Sequence, residues 1–296
     1  MKPRQAFLPA ALAVALLAGC SERAFKSAAA QERAGAYASA ARRFERFASA
    51  HPKHPRAAEA LVRAGRLYLY VFDRCPEAQP LFERTAREYP DSAWAEQARR
   101  ALADCPEFFP LRPGSEWVFV DSQTGGRNMR LELFLRGSES KDGSSEPRVG
   151  ASEIGGAYFA GARRFQNFHR GYVKEGWAVW ETEGADRVPI LRYPYRKGSS
   201  WSGRRGGKRV DFSIDEENET VQVKAGTFHG CIKVREAQAG LPAWKYDYYA
   251  PGIGRVKTTV AGARFEKPNT ELESAKVPPP AAPGLAAPGI RGTGKI

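Results

Sequence analysis

The most constraining feature of the sequence is a pattern written twice at one spacing. Ala40-Ala41-Arg42-Arg43-Phe44-Glu45-Arg46-Phe47 leads to Pro52, and Ala78-Gln79-Pro80-Leu81-Phe82-Glu83-Arg84-Thr85 leads to Pro90, at an offset of 38 residues. Ala57 and Ala60 recur at that offset as Ala95 and Ala98. Residues 22–105 are rich in Ala, Arg and Glu and poor in β-branched residues, which is helix-forming chemistry. In each copy the small Ala40 or Ala78 lets a neighbouring helix approach. Phe44 or Phe82 fills the space beside it. Pro52 or Pro90 stops the helix, because proline has no N–H to donate and clashes with the preceding turn. The pattern predicts antiparallel helix pairs stacked side by side.

This A-x₃-F…P arrangement resembles the tetratricopeptide repeat, and Gly35-Ala36-Tyr37 matches that family's inter-helix turn. The period is longer than the family's usual length of about 34 residues. The excess falls around Asp73–Glu77, where a longer turn is expected. Two repeats and a closing helix are few, since solenoids usually need about three units to bury a continuous core. A further stabilising element is therefore expected.

The N-terminus indicates where the chain works. MKPRQAFLPAALAVALLAGC places two cations before an apolar run that is too short to span roughly 30 Å of hydrocarbon, as in a secretory leader. Leu17-Ala18-Gly19-Cys20 resembles the lipobox of bacterial lipoproteins. That resemblance implies removal of residues 1–19 and lipidation of Cys20, and two or three acyl chains would anchor stably where one would not. Ser21 after Cys20 implies delivery to the outer membrane, facing the periplasm. Lipobox and repeats together are similar to the tetratricopeptide lipoproteins of outer-membrane assembly and cell-division coordination (BamD- and YbgF-like). Export also bears on the cysteines, because disulfides persist in oxidising compartments. Cys75 precedes an expected helix at 76–89 and Cys105 follows one at 92–104. Antiparallel neighbours return the chain to its starting end, so a Cys75–Cys105 disulfide is predicted. Cys231 reads as a buried small hydrophobe on a strand.

From Pro106 the chemistry changes. Val, Ile, Tyr, Trp and Phe rise, and turn residues recur. Leu131, Leu133 and Leu135 share one face. Val210, Phe212 and Ile214 alternate with Asp211, Ser213 and Asp215, and Glu175-Gly176 reads as a hairpin turn. The acidic stretch Asp215–Glu219 reads as a solvated hairpin tip. The alternation predicts an antiparallel sheet covered on one side. Pro110-Leu111-Arg112-Pro113-Gly114-Ser115-Glu116-Trp117, Ala225-Gly226-Thr227-Phe228 and Tyr249–Lys257 resemble segments of secreted bacterial β domains of uncharacterised type. Those domains are loosely similar to the lipoprotein carriers and receptors (LolA- and LolB-like). After Lys267 the chain turns Pro/Ala/Gly-rich and is expected to be a disordered tail. The expected organisation is α+β and multidomain: a leader at 1–19, tetratricopeptide-like helical hairpins at 20–106, an antiparallel β domain at 107–267 and a tail at 268–296.

The formal net charge is +13, of which Lys2 and Arg4 in the leader supply two. Such a balance suits anionic partners, and export disfavours nucleic acid among them. The candidate anion or glycan patch is the run Arg192, Arg196, Lys197, Arg204, Arg205, Lys208 and Arg209, interleaved with the aromatics Tyr195 and Trp201. No metal set, cofactor motif or catalytic constellation stands out. Ser138-Glu139-Ser140-Lys141 satisfies S-x-x-K, but its partner motifs are missing. Gly203–Arg209 lacks the spacing of a phosphate loop. The expected function is therefore non-enzymatic: a membrane-anchored scaffold or adaptor that binds an envelope protein. The alternatives are a carrier of a lipid or acylated ligand in the β domain, and an envelope hydrolase.

Overall fold

In a computed structural model of the chain, residues 10–136 and 151–279 are described. Residues 1–9 of the expected leader, the Ser138–Lys141 motif and residues 280–296 of the expected tail lie outside the described residues. The chain divides into two compact units between Ala98 and Arg99.

The helical run contains α1 (Ala10–Arg33), α2 (Tyr37–Ala50), α3 (Ala57–Arg66), α4 (Cys75–Glu88) and α5 (Ala93–Leu102). Among the described residues no helix is long and apolar enough to cross a membrane. The repeated residues do what their chemistry dictates. Ala40, Phe44, Ala78 and Phe82 are all fully buried. Pro52 and Pro90 are exposed, each two residues beyond the end of its helix. The Phe25 ring of α1 lies 5.4 Å from Phe44 and from Phe47 of α2, the latter edge-on. Phe82 lies directly on the backbone of α3: a Cβ added to Gly65 would stand 2.7 Å from its ring. Glycine is required there because no side chain fits beneath the ring. The long period has a structural cause. After Arg66 the helix widens into a π-helical turn at Leu67–Val71, and Asp73 adopts φ +53° before Arg74 N–H donates to Tyr68 O at 2.8 Å.

Cys75 and Cys105 are disulfide-bonded, and Cys231 is a buried free thiol. Replacing both bonded cysteines by serine is expected to cost roughly 3–4 kcal/mol for a loop of this length. Thiol alkylation of the denatured, unreduced protein checks the pairing. Cys75 and Cys105 should label only after reduction, while Cys231 labels before it.

The second unit is a strand meander. Its strands are β1 (Glu116–Asp121), β2 (Arg130–Arg136), β3 (Ala151–Ala160), β4 (Arg163–Glu175), β5 (Ala178–Glu183), β6 (Asp186–Arg192), β7 (Ser200–Arg205), β8 (Lys208–Val223), β9 (Gly226–Gln238), β10 (Ala243–Ala250), β11 (Gly254–Gly262) and β12 (Phe265–Lys276). Every chain neighbour pairs antiparallel except β6 and β7, and β1 pairs with β12 from Glu116↔Lys276 to Asp121↔Thr270. The hydrogen-bonded order is therefore a ring opened at one place. There β6 and β7 meet through other contacts. Trp201 Nε1–H donates to Pro189 O at 2.6 Å, and Gly206 N–H donates to the Asp186 carboxylate at 2.6 Å. A Cβ on Gly203 would lie 2.7 Å from Pro189 Cδ. Pro189 has no N–H for a ladder, which is why proline is confined to sheet edges. The result is a nearly closed barrel with a seam built mainly from side chains.

One end of the barrel is crossed by residues 104–113. Phe109 packs 4.9 Å from Tyr172 near the end of β4 and 6.3 Å from Tyr249 near the end of β10. Gly252 N–H donates to Glu107 O at 2.8 Å. Lys174 joins Asp104 and Glu107, and Arg112 pairs with Glu107. Burial opposes charge on Glu107, but Lys174 and Arg112 outweigh it and hold the carboxyl below its usual range.

The sheet is antiparallel with one face covered, as expected, and its cover is its own far side: it curls around an interior where Leu131, Leu133, Leu135, Val210, Phe212 and Ile214 are buried. Two expectations are corrected. Strand structure continues nine residues past Lys267, as β12 reaches Lys276. Pro268 is accommodated beside the register shift between Thr258 and Thr259, where the ladder is already interrupted. Asp215–Glu219 is not a hairpin tip but a bulged stretch inside β8, with Asn218 at φ +59°. The tip comes later, at Lys224-Ala225, and is tied to β12 by Ala225 N–H to Leu272 O at 3.0 Å.

Candidate functional site

In the helical unit the repeat residues Ala40, Phe44, Ala78 and Phe82 lie in the core, so the residues between them make the surface. Arg43, Arg46, Phe47, Ala50 and His51 of α2 and its end, with Ala24 of α1, line a shallow groove. Its rim is cationic and its floor apolar. Elsewhere in the helical unit Arg63 lies 4.8 Å over Phe44 and pairs with the buried Glu32 and, at 3.1 Å, with Glu59. Cys20 falls within α1; its backbone continues the helix into residues 21–33.

The structure splits the basic-aromatic run 192–209 into different environments. Strand alternation sends Trp201 and Arg205 to the barrel interior, and exposes Arg204, Lys208 and Arg209. Trp201 stacks on Phe212 with centroids 5.7 Å apart. Tyr195 is buried, its hydroxyl donating to Ala103 O at 3.1 Å and its ring set against Phe108. Arg192 and Arg196 are exposed, and Lys197 pairs with Glu216 at 2.7 Å. Tyr195 is thus structural, while Trp201 and Phe212 line one surface pocket with Arg209 and Arg235. Among the described residues no group of three His, Cys, Asp or Glu is placed to hold a metal.

The barrel interior holds the densest chemistry, around a cavity of about 140 Å³. Its apolar wall includes Phe119, Leu133, Ile154 and Phe168. Its polar wall is a chain of alternating charges drawn from five strands. Tyr172 OH donates to Glu181 at 3.1 Å, and Glu181 lies 3.1 Å from Arg205. Arg205 also pairs with Glu236, which lies 3.0 Å from Lys245. Lys245 lies 3.0 Å from Asp247, and Asp247 accepts from Thr258 at 2.6 Å and faces Arg255 at 3.8 Å. Glu181 on β5 and Arg205 on β7 thereby tie the two sides of the seam together.

The electrostatics follow from enclosure. Lys245 and Arg255 are surrounded by the barrel wall yet keep 34% and 30% of their side-chain surface, because that surface faces the cavity. Burial pushes the Lys245 pKa down, but Asp247 and Glu236 more than reverse this and leave it raised. Burial likewise opposes the charge of Arg255, and Asp247 with the phenols of Tyr249, Tyr172 and Tyr158 more than offsets it. Asp247 is held below the usual carboxylate range: burial would raise it, but Lys245, Arg255 and the Thr258 hydroxyl prevail. Burial first, then Glu181, drives the Tyr172 phenol far up, so it stays protonated as a donor.

Sequence reasoning missed this network. Its members spread from Tyr172 to Thr258 with no fixed spacing. One local signal existed: period-two alternation from Trp201 places Arg205 on the same face as that buried ring.

A tetratricopeptide repeat family model matches residues 59–92. That span holds most of α3, the π-helical turn, α4 and Pro90, which form one complete helical pair. No curated protein matches the chain. Among solved structures, a predicted lipoprotein from Parabacteroides distasonis is similar at 17% identity and a TM-score of 0.38, covering 57% of this chain and 98% of that one. A predicted exported protein with a YmcC-like fold from Bacteroides fragilis is similar at 16% identity and a TM-score of 0.38, with the same coverage. The family match thus coincides with the second copy of the repeated motif, and this segment is similar to a tetratricopeptide repeat.

Proposed function

We propose that this chain is a lipid-anchored scaffold of the bacterial envelope whose helical repeats hold a protein partner. The observation that carries the reading is the repeat pair. Both motif copies bury the same residue types, the family model spans the second, and the intervening surface is left to a partner. The groove bounded by Arg43, Arg46 and His51 suits an acidic segment with an apolar residue set on Phe47. Cys20, with its lipobox and the serine after it, supports anchoring at the outer membrane, facing the periplasm. The cavity size weighs against carriage of a lipid. About 140 Å³ is well under the roughly 300–1,000 Å³ of pockets that enclose drug-sized ligands, and a membrane lipid with its long chains is at least that large.

Two measurements test this. Labelled palmitate should enter the wild-type chain and not a Cys20→Ala variant; equal labelling removes the anchor from the proposal. A photo-cross-linking residue placed in turn at Arg43, Arg46 and Ala50 in intact cells should give one shared adduct mass. The same residue at the exposed barrel position Arg209 should not. Absence of a discrete adduct from all three helical positions would defeat the scaffold reading.

A further inference from the structure

The barrel cavity contains a guanidinium whose hydrogen-bonding capacity is unspent. Arg255 carries five N–H donors. Among the described residues its side chain makes no hydrogen bond. Its one ionic neighbour is Asp247 at 3.8 Å, beyond hydrogen-bond reach, and Asp247 is already engaged by Thr258 and Lys245. The other face of the group is accounted for by Phe119, whose ring centroid lies 4.9 Å from the guanidinium carbon. Part of the guanidinium surface faces the cavity, so these donors are open to a ligand. The Tyr158 and Tyr249 hydroxyls, close enough to act on Arg255 electrostatically, also donate to nothing among the described residues.

The rest of the network is committed. Arg205 is spent on Glu181 and Glu236, and Lys245 on Glu236 and Asp247. The three acids Glu181, Glu236 and Asp247 face three cations, Arg205, Lys245 and Arg255, so the charges balance and what Arg255 has left over is hydrogen-bond donors. Unspent donors call for an acceptor such as a carboxylate, and a cation has no free acid to meet. Shape narrows the choice. A planar guanidinium matches a carboxylate two bonds at a time. The lining of the same cavity includes Leu133, Ile154 and Phe168, which suits a ligand whose remainder is apolar. The volume of about 140 Å³ is close to that of a dry engineered cavity of roughly 150 Å³ that takes benzene.

We infer that the barrel is a receptor for a small monocarboxylate with an apolar body, an aromatic or short-chain acid, whose carboxylate is held by Arg255 and whose body lies against Leu133, Ile154 and Phe168. This is independent of the helical scaffold and requires no partner protein. Tyr158 and Tyr249 line the same cavity and add hydroxyl donors to its wall.

Calorimetry on the full chain in an uncharged detergent tests the inference, with benzoate and hexanoate as probes and benzyl alcohol and inorganic phosphate as comparisons. One carboxylate per chain should bind, with benzyl alcohol and phosphate at least tenfold weaker. Arg255→Met should weaken benzoate at least tenfold, and Arg255→Lys should fall between. Ile154→Phe fills the apolar space and leaves the guanidinium in place; it should abolish benzoate binding without lowering the melting temperature. Should Arg255→Met fail to fold, Ile154→Phe and the neutral alcohol decide the matter. The inference is overturned if neither carboxylate binds at millimolar concentration, if benzyl alcohol or phosphate binds as well as benzoate, or if Ile154→Phe binds undiminished.

Discussion

Phe82→Ala is expected to destabilise the helical unit by about 3–5 kcal/mol, the range for emptying a fully buried aromatic site. The upper half of that range applies because the site cannot collapse. Phe82 rests on the bare backbone of Gly65, and α3 is packed by α2 on one side and α4 on the other. An alanine would leave a void walled by main chain instead of side chains that could swing inward. Whole domains are stable by only about 5–15 kcal/mol, so the change would remove a large share of the total. Urea melts followed by far-ultraviolet circular dichroism measure it. Leu81→Ala, one residue away on the half-buried side of the same helix, should cost less than half as much. Equal costs would mean that Phe82 is not the centre of the pair.

The second large effect belongs to the barrel. Asp247→Leu should cost about 3–5 kcal/mol, because removing one partner of an enclosed ion pair strands the others. Arg255 would lose its one opposite charge, and Lys245 would keep only Glu236. The pH dependence has a definite sign. The folded-state pKa of Asp247 is depressed, so its contribution is fully present above the unfolded value of about 3.9 and is lost as pH falls through the lower folded value. The stability gap between wild type and Asp247→Leu should therefore be widest near neutrality and narrow progressively below about pH 4. Denaturant melts at neutral and strongly acidic pH give the two gaps, and a gap that grows on acidification would contradict the assignment.

The helical half was legible because its information is local. The repeat at residues 40–52 and 78–90 encodes packing within neighbouring turns, and the two cysteines bracket one helical pair. The β half was legible strand by strand. Val210–Asp215 announces its two faces, and Glu175-Gly176 announces its hairpin. Closure was not legible, because it depends on the ladder between Glu116–Asp121 and residues 270–276, far apart in sequence, and on the edge character of Pro189. The site was hidden for the same reason. Arg205 looked like one cation in a basic run, and only the barrel's curvature brings it between Glu181 and Glu236. Pro268 misled the reading of the C-terminal strand, because a proline in sequence does not show that the ladder is already bulged around it.

The pairing of Glu116 with Lys276 also carries a mechanical consequence. The two chain ends of the barrel emerge side by side on adjacent antiparallel strands, so a pull between them would peel that ladder one hydrogen bond at a time rather than shear it all at once. Such a geometry resists tension poorly. In the proposed arrangement the barrel carries no such load. The membrane anchor at Cys20 and the partner-binding helices both precede Glu116 in the chain. Force between bilayer and partner would then run through residues that precede the barrel in the chain, and the weak ladder between Glu116 and Lys276 would not bear it.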